Sequence, residues 1–493
     1  MKTRDENYSR VLKNISLFGG VQGVILIVGL VRNKLIALIL GAGGMGFNAL
    51  LTSVQTFASQ VTNLGISFGA VPRLSELYEE GSEEQLSFYI QVIRLWSLMA
   101  ALLGMVFCVI VSPLMNDLTF TWGNHTLHYA ALAFSVALLA VSFGETAILK
   151  ATRRLRSLAN IQVVTVVVSL VLSLPLYFYL RHSGVLPAIV LTTLVSLSVT
   201  IAYSYRYYPL KLQFTRRHIS AGWPMISLGL AYVLAAAIGS AAELIVRSFL
   251  NVEGGLNNVG LYNATYVIVF TYGGIVFSAL DSDYYPRLSG VSKDVGQTNE
   301  TVNKQMEVSL LLLSPMLVFL LMFLPVLIPL MLSHEFLPMV GMAQVAVLAM
   351  YFKVQTMPVA YISLARRRSR VYLFLETSYF IVLVLSVIVS FRLWGLWGTG
   401  VAIVFAHIVE YVIVIGFAYW KYAYRLTLPI GCYAGVQLAI GLAAYAVSRY
   451  AEGWVYWIAE AALVIASTAY SVYVLHQKTR LWEALKRKFV KSV

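Results

Sequence analysis

The sequence predicts an all-α, polytopic membrane protein of about fourteen transmembrane helices, built as two six-helix lobes of like orientation followed by two C-terminal helices. Three observations predict it. Of 493 residues, 59% are hydrophobic and only 12% charged, whereas a soluble domain is about a quarter charged. Apolar runs of about 20 residues, enough to cross a bilayer core, recur from end to end. A pattern near the start also returns 214 positions downstream without a gap.

That repeat organises the chain. Gly46 maps onto Gly260, and Pro72, Arg73, Leu74 and Ser75 map onto Pro286, Arg287, Leu288 and Ser289. The same offset carries Ala151, Arg153, Arg154 and Arg156 onto Ala365, Arg367, Arg368 and Arg370, and Gly184 and Ala188 onto Gly398 and Ala402. The expected divisions are a first lobe over 1–217, a second over 218–428, two helices over 429–475, and a basic tail over 476–493. Six helices per copy is an even number, so both copies enter the membrane the same way round, and their pseudo-symmetry axis runs along the membrane normal.

Apolar runs bounded by charge and turn residues place the spans with midpoints near 27, 59, 100, 138, 169, 195, 236, 270, 319, 351, 381, 408, 439 and 465. Of the 36 Lys and Arg residues, 28 fall in alternate connections assigned to the cytoplasm, and only Arg181, Arg392 and Arg449 fall in the outer ones. This asymmetry orients both termini to the cytoplasm. The net charge of +14 therefore reads as positive-inside loops and not as a nucleic-acid surface. The polar start MKTRDENYSRVLKN runs into the first span without a small-residue cleavage pattern, so that span is expected to act as the insertion signal. The tail HQKTRLWEALKRKFVKSV is basic and amphipathic, which suits an anionic inner leaflet.

Cys108 and Cys432 fall inside apolar spans and read as inert core thiols, without disulfide or metal-ligand spacing. GAGGMG near residue 41 lacks the Gly-Lys-Ser/Thr ending of a phosphate loop, and neither HExxH nor a Ser/His/Asp arrangement is present. No enzyme, cofactor or metal site is expected. The 30 tyrosines and 9 tryptophans read first as interfacial belts.

The candidate functional residues are ionisable groups inside spans, which are costly there unless they face water or a partner. Arg32 lies nine residues before Gly41, about 13 Å below the outer end of the first span. Lys34, two residues on, points elsewhere on a regular helix and can snorkel. Glu243 and Arg247 share a helix face. Lys353 is the deepest cation, and His407 with Glu410, three apart, suits either a protonatable site or a structural pair. Glu145, Glu376 and Arg94 are expected in salt bridges at the inner surface.

The run from Val31 to Gly46, ending in LGAGGMG, and NLGISFGAVPRLSE at the end of the second span resemble polysaccharide flippases of the multidrug/oligosaccharidyl-lipid/polysaccharide exporter superfamily. The likeness covers essentially the whole doubled chain and is closest to the Wzx-type translocases of O-antigen or capsule repeat units. The resemblance implies the V-shaped pair of lobes of the multidrug exporters and lipid II flippases. It also implies alternating access that carries a polyprenyl-pyrophosphate-linked oligosaccharide from the inner to the outer leaflet of the bacterial cytoplasmic membrane. Arg32 falls where the lipid II flippases bind pyrophosphate, with Lys353, Arg247 and Lys34 as further cavity cations. Spans 13 and 14 match the pair that grooves the lipid tail in that group. The partners implied are the lipid-linked oligosaccharide, membrane lipids, and a polysaccharide polymerase and glycosyltransferases, with no nucleic acid and a monomeric state. Where lipid II flippases carry an arginine-rich segment, this chain reads QVTNLGISFG. A lipid II flippase, an ion-coupled multidrug exporter and a membrane scaffold are the alternatives.

Overall fold

In a computed structural model of the protein, residues 2–120, 123–272, 274, 284–285, 287–366 and 368–479 are described, with side chains described from residue 20 on except at 231, 271–272 and 478–479. Every regular element among them is helical: α1 (Lys2–Thr62), α2 (Ile66–Glu80), α3 (Glu83–Thr119), α4 (Thr126–Ala151), α5 (Leu155–Leu180), α6 (Val185–Ser204), α7 (Arg216–Tyr266), α8 (Val295–Met331), α9 (Val340–Ala365), α10 (Ser369–Tyr422), α11 (Leu428–Tyr450) and α12 (Gly453–Thr479), with short 3₁₀ and π turns between some of them.

Among the described residues, ten stretches are long and apolar enough to cross a membrane. Four of them, of 43, 50, 39 and 54 residues, are broken in two. At 1.5 Å per residue, the 61 residues of α1 would reach about 90 Å, three times a bilayer core. Each long stretch is broken by backbone that no helix contains. The breaks lie at Gly41 in α1 (φ 66°, ψ −171°), Gly255 in α7 (φ 77°, ψ 171°) and Gly395 in α10 (φ 60°, ψ −146°). Between α5 and α6, which form one stretch, the break is at Arg181 (φ 48°, ψ −124°). Counting each as two crossings turns ten stretches into the fourteen spans expected from the sequence.

The breaks carry the 214-residue offset in their geometry. Gly41 and Gly255 share one backbone conformation, as do Arg181 and Gly395. Arg181 thus holds a positive φ that its counterpart meets with glycine, the residue for which that region is free. A β-carbon at Gly184 would collide with the carbonyl of Leu176, and one at Gly398 with that of Ser390, again 214 apart. Basic connections match too: Arg154 N donates to Leu149 O at 2.9 Å, and Arg368 N to Ser363 O at 2.8 Å.

Two compact units result: Met1–Gly260 with Met331–Ser333, and Leu261–Leu330 with His334–Val493. In the first, α2 lays Ile66, Ala70, Leu74 and Leu77 against Ile90, Ile93 and Trp96 of α3, Ala147 and Ile148 of α4, and Met225 of α7. Here α1 and α7 meet through Gly46 and Gly260: a β-carbon on Gly46 would strike Leu256 O, and one on Gly260 would strike Ala42 O. Such backbone proximity is how membrane helices associate where burying apolar surface no longer drives packing. In the second unit, Val302 and Met306 of α8, Val359 and Ile362 of α9, Leu375, Val414 and Ala418 of α10 and Ile430 of α11 form one core. Helices α11 and α12 are joined by a buried polar clasp, in which Ser467 Oγ donates to Gln437 Oε1 at 2.7 Å and Gln437 Nε2 to Ser471 Oγ at 2.8 Å.

The first helix starts at Lys2, since nothing in its polar beginning interrupts a helix. One expectation is corrected. Cys432 is exposed, unlike the buried Cys108, because it sits in the first turn of α11 on the side away from the core. Glu145 and Arg94 form the salt bridge expected of them, and it is buried, with Arg94 Nε 2.7 Å from Glu145 Oε1. The tail from residue 480 lies outside the described residues.

Candidate functional site

In the first unit the ionisable candidates stand on α1 and α7, the helices that precede the Gly41 and Gly255 turns. Arg32 is nine residues before the first turn and Arg247 eight before the second, so both sit about 12–13 Å along the helix from their turns. Arg32 is half-buried, and its Nε is fully covered and has no hydrogen-bond partner. Arg247 is buried; its Nη1 donates to Ser53 Oγ at 2.5 Å and pairs with Glu243 Oε2 at 3.1 Å, while its Nε has no partner. Glu243 keeps 39% of its side chain exposed, so the pair is neutralised only at its edge.

The first unit also buries polar side chains that hydropathy does not reveal: Ser53, Gln55, Ser59 and Thr62 of the second half of α1, Asn63 just after it, and Asn251 of α7, one turn from Arg247. Asn251 Nδ2 donates to Thr119 O at 2.6 Å. Gln55 Nε2, Ser59 Oγ and Asn251 Oδ1 have no partner. Buried donors and acceptors left open in this number suit a hydrated path more than a dry core. Lys34 is half-buried and engaged with its surroundings.

In the second unit Lys353 of α9 faces a cluster on α10. Its Nζ lies 5.3 Å from the centroid of Phe270, whose ring stacks 5.8 Å from that of His407. His407 Nδ1 shares a 2.8 Å hydrogen bond with Glu410 Oε2, and Tyr379 stacks on the imidazole at 4.8 Å. Glu410 and Glu376 are the carboxylates whose charge acts on Lys353, and Glu376 hydrogen-bonds Tyr372. His407 and Glu410 thus form the pair that their spacing predicts. Glu376 belongs to this interior cluster and not to the salt bridge at the inner surface expected of it. Sequence spacing does not give Phe270, Tyr379 or Ser53, because their partners are 137, 28 and 194 positions away.

The basic ends of the units hold pockets. One of about 480 Å³ is lined by Tyr78, Gln91, Arg94, Arg154 and Lys211, and one of about 730 Å³ by Ser289, Ser292, Lys293, Arg366 and Arg368. Among the described residues no three His, Cys, Asp or Glu side chains gather as metal ligands do.

Residues 35–341 match the family described as polysaccharide biosynthesis protein. A search of curated proteins finds no match. The fold is similar to that of the lipid II flippase MurJ in an inward closed conformation, with a TM-score of 0.69 at 14% identity over 94% of this chain and 99% of that one. It is also similar to an inward-facing multidrug resistance MATE family transporter of the MOP superfamily, at 0.68 and 14% over 81% and 94%. A third likeness is to the MATE multidrug transporter DinF-BH, at 0.61 and 17% over 84% and 95%.

Proposed function

The chain belongs to the polysaccharide biosynthesis protein family, and on that premise we propose that it flips a polyprenyl-pyrophosphate-linked oligosaccharide repeat unit from the inner to the outer leaflet of the bacterial cytoplasmic membrane. The product feeds O-antigen, capsule or exopolysaccharide assembly. Movement is by alternating access, with both termini cytoplasmic and without catalysis or a cofactor.

The observation that carries the reading is the pair Arg32 and Arg247. Each is an arginine deep in a span, at matching distance from a matching turn, with a covered Nε that no protein group satisfies. A guanidinium with open donors binds two phosphate oxygens at once, which an ammonium does not reproduce. A pyrophosphate crossing an apolar barrier needs such donors at mid-depth. Lys34 is a secondary cation on the same helix. Lys353 is a separate candidate of the second unit, held by Phe270 and the carboxylates until an anion competes for it.

The test is deletion of the gene in its own host, followed by extraction of polyprenol-linked intermediates. Build-up of a pyrophosphate-linked oligosaccharide with loss of surface glycan is the expected result. No lipid change, with raised drug sensitivity, would overturn it in favour of an ion-coupled multidrug exporter. One observation favours a second reading, a lipid II flippase: the likeness to MurJ extends over 94% of the chain, against 81% for the MATE transporter. Accumulation of lipid II with lysis would install that reading.

A further inference from the structure

Helix α12 contains one acidic residue below its first turn, Glu460, whose surroundings differ from those of every carboxylate described above. It is 0% exposed and enclosed by protein atoms. Neither carboxyl oxygen has a hydrogen-bond partner. It lies seven residues into α12 from Gly453, about 10 Å from that end of the helix.

Tyr456, one turn away, donates its hydroxyl to Met322 O of α8 at 2.6 Å, and the neighbouring Trp457 packs its ring 5.9 Å from that of Phe323. Helix α8 carries no titratable residue between Glu307 and Met331. Helix α11 offers Cys432 and Tyr433 in its first turns, then Tyr445, with Arg449 and Tyr450 exposed at its far end. Among the described residues no hydrogen bond reaches the Glu460 carboxyl. An ionised carboxylate enclosed in this way, without a donor, would cost many kcal/mol, and groups so placed keep a proton instead.

A neutral acid has an O–H donor and acceptor capacity that this enclosure leaves unused. The seam where α12 meets α8 is held by the Tyr456 hydroxyl and aromatic contacts rather than by Glu460. If the seam opens, water reaches the carboxyl and the proton can leave. We propose that Glu460 is a reversible proton-binding site, occupied while α12 is seated on α8 and emptied when that seat opens, so that a proton from solution holds the helix in place. By linkage, whichever state binds the proton more tightly gains stability as pH falls; here that is the seated state. Carrying this link over to transport rests on the flippase reading, but the site itself does not.

The experiment uses the full chain in lipid nanodiscs. Dicyclohexylcarbodiimide, an apolar reagent that modifies protonated carboxyls, is added across pH 6–9 and the adduct is mapped by peptide mass spectrometry. Labelling of Glu460 at pH 6 that falls at least tenfold by pH 9 is expected. Absent or pH-independent labelling would overturn the proposal. In parallel, the thermal midpoint of the wild type should drop as pH rises, while that of Glu460→Gln, which keeps the neutral shape, should stay level. Superimposable curves would reduce Glu460 to a structural part. Both readouts need no substrate, so labelling without lipid flipping would sink only the flippase reading, and flipping without labelling only the proton site.

Discussion

Arg94 and Arg247 are both buried arginines of the first unit, each beside a glutamate, and they are completed to different degrees. Arg94 donates from Nε and Nη2 to Glu145 at 2.7 and 3.2 Å, from Nη1 to Pro209 O at 2.8 Å and from Nη2 to Tyr208 O at 2.7 Å. Ser204 Oγ completes the carboxylate at 2.6 Å, and the Tyr205 ring covers the guanidinium at 4.7 Å. Arg247 leaves its Nε open and its glutamate partly exposed, and the Asn251 Oδ1 one turn along α7 is also without a partner. Burial and charge are alike; the count of satisfied donors is not. A filled guanidinium ties α3, α4 and the 204–209 connection together. An open one, like that of Arg32, still has bonds to give.

This contrast can be broken or sharpened by substitution. The largest expected effect is Arg94→Met, which strands the buried Glu145 carboxylate and should cost about 3–5 kcal/mol. Thermal unfolding in detergent would read it, and Arg94→Met with Glu145→Leu should recover most of the loss. Next comes Arg32→Lys, which keeps the charge and loses the fork. Flipping should fall at least tenfold, about 1.4 kcal/mol in the barrier, with an unchanged melting midpoint. Arg247→Lys should slow flipping severalfold while shifting stability by less than about 1 kcal/mol, since its partner Glu243 retains hydration. If Arg247→Lys unfolds the protein as Arg94→Met does, the distinction between the two arginines collapses. The smallest effect is in the α11–α12 clasp, where Gln437→Leu should cost about 0.6 kcal/mol, the usual worth of a polar contact between membrane helices.

Much of this architecture is legible in the sequence because membrane spans need uninterrupted apolar length and connections need charge. The repeat was visible at Gly46/Gly260 and Gly184/Gly398, and the structure gives the physical reason: a β-carbon at any of the four would strike a carbonyl oxygen. Arg181 and Gly395 show the limit, since one conformation is met by two unlike residues and residue matching passes over it. The site was legible as single charges and as two pairs within one helix turn, Glu243 with Arg247 and His407 with Glu410. That Arg94 reaches Glu145 across 51 positions, and Arg247 reaches Ser53 across 194, is decided by helix packing. Glu460 escaped notice for a related reason: one carboxylate in an apolar run looks the same whether it faces water, lipid or the interior.

The most direct test of the account is leaflet-resolved flipping of the host's own pyrophosphate-linked oligosaccharide by purified protein in vesicles, comparing wild type with Arg32→Lys at matched incorporation. The account predicts protein-dependent movement that the lysine variant loses at least tenfold. Equal rates for the two proteins would contradict it, because a pyrophosphate read by charge alone leaves the open guanidinium without a task.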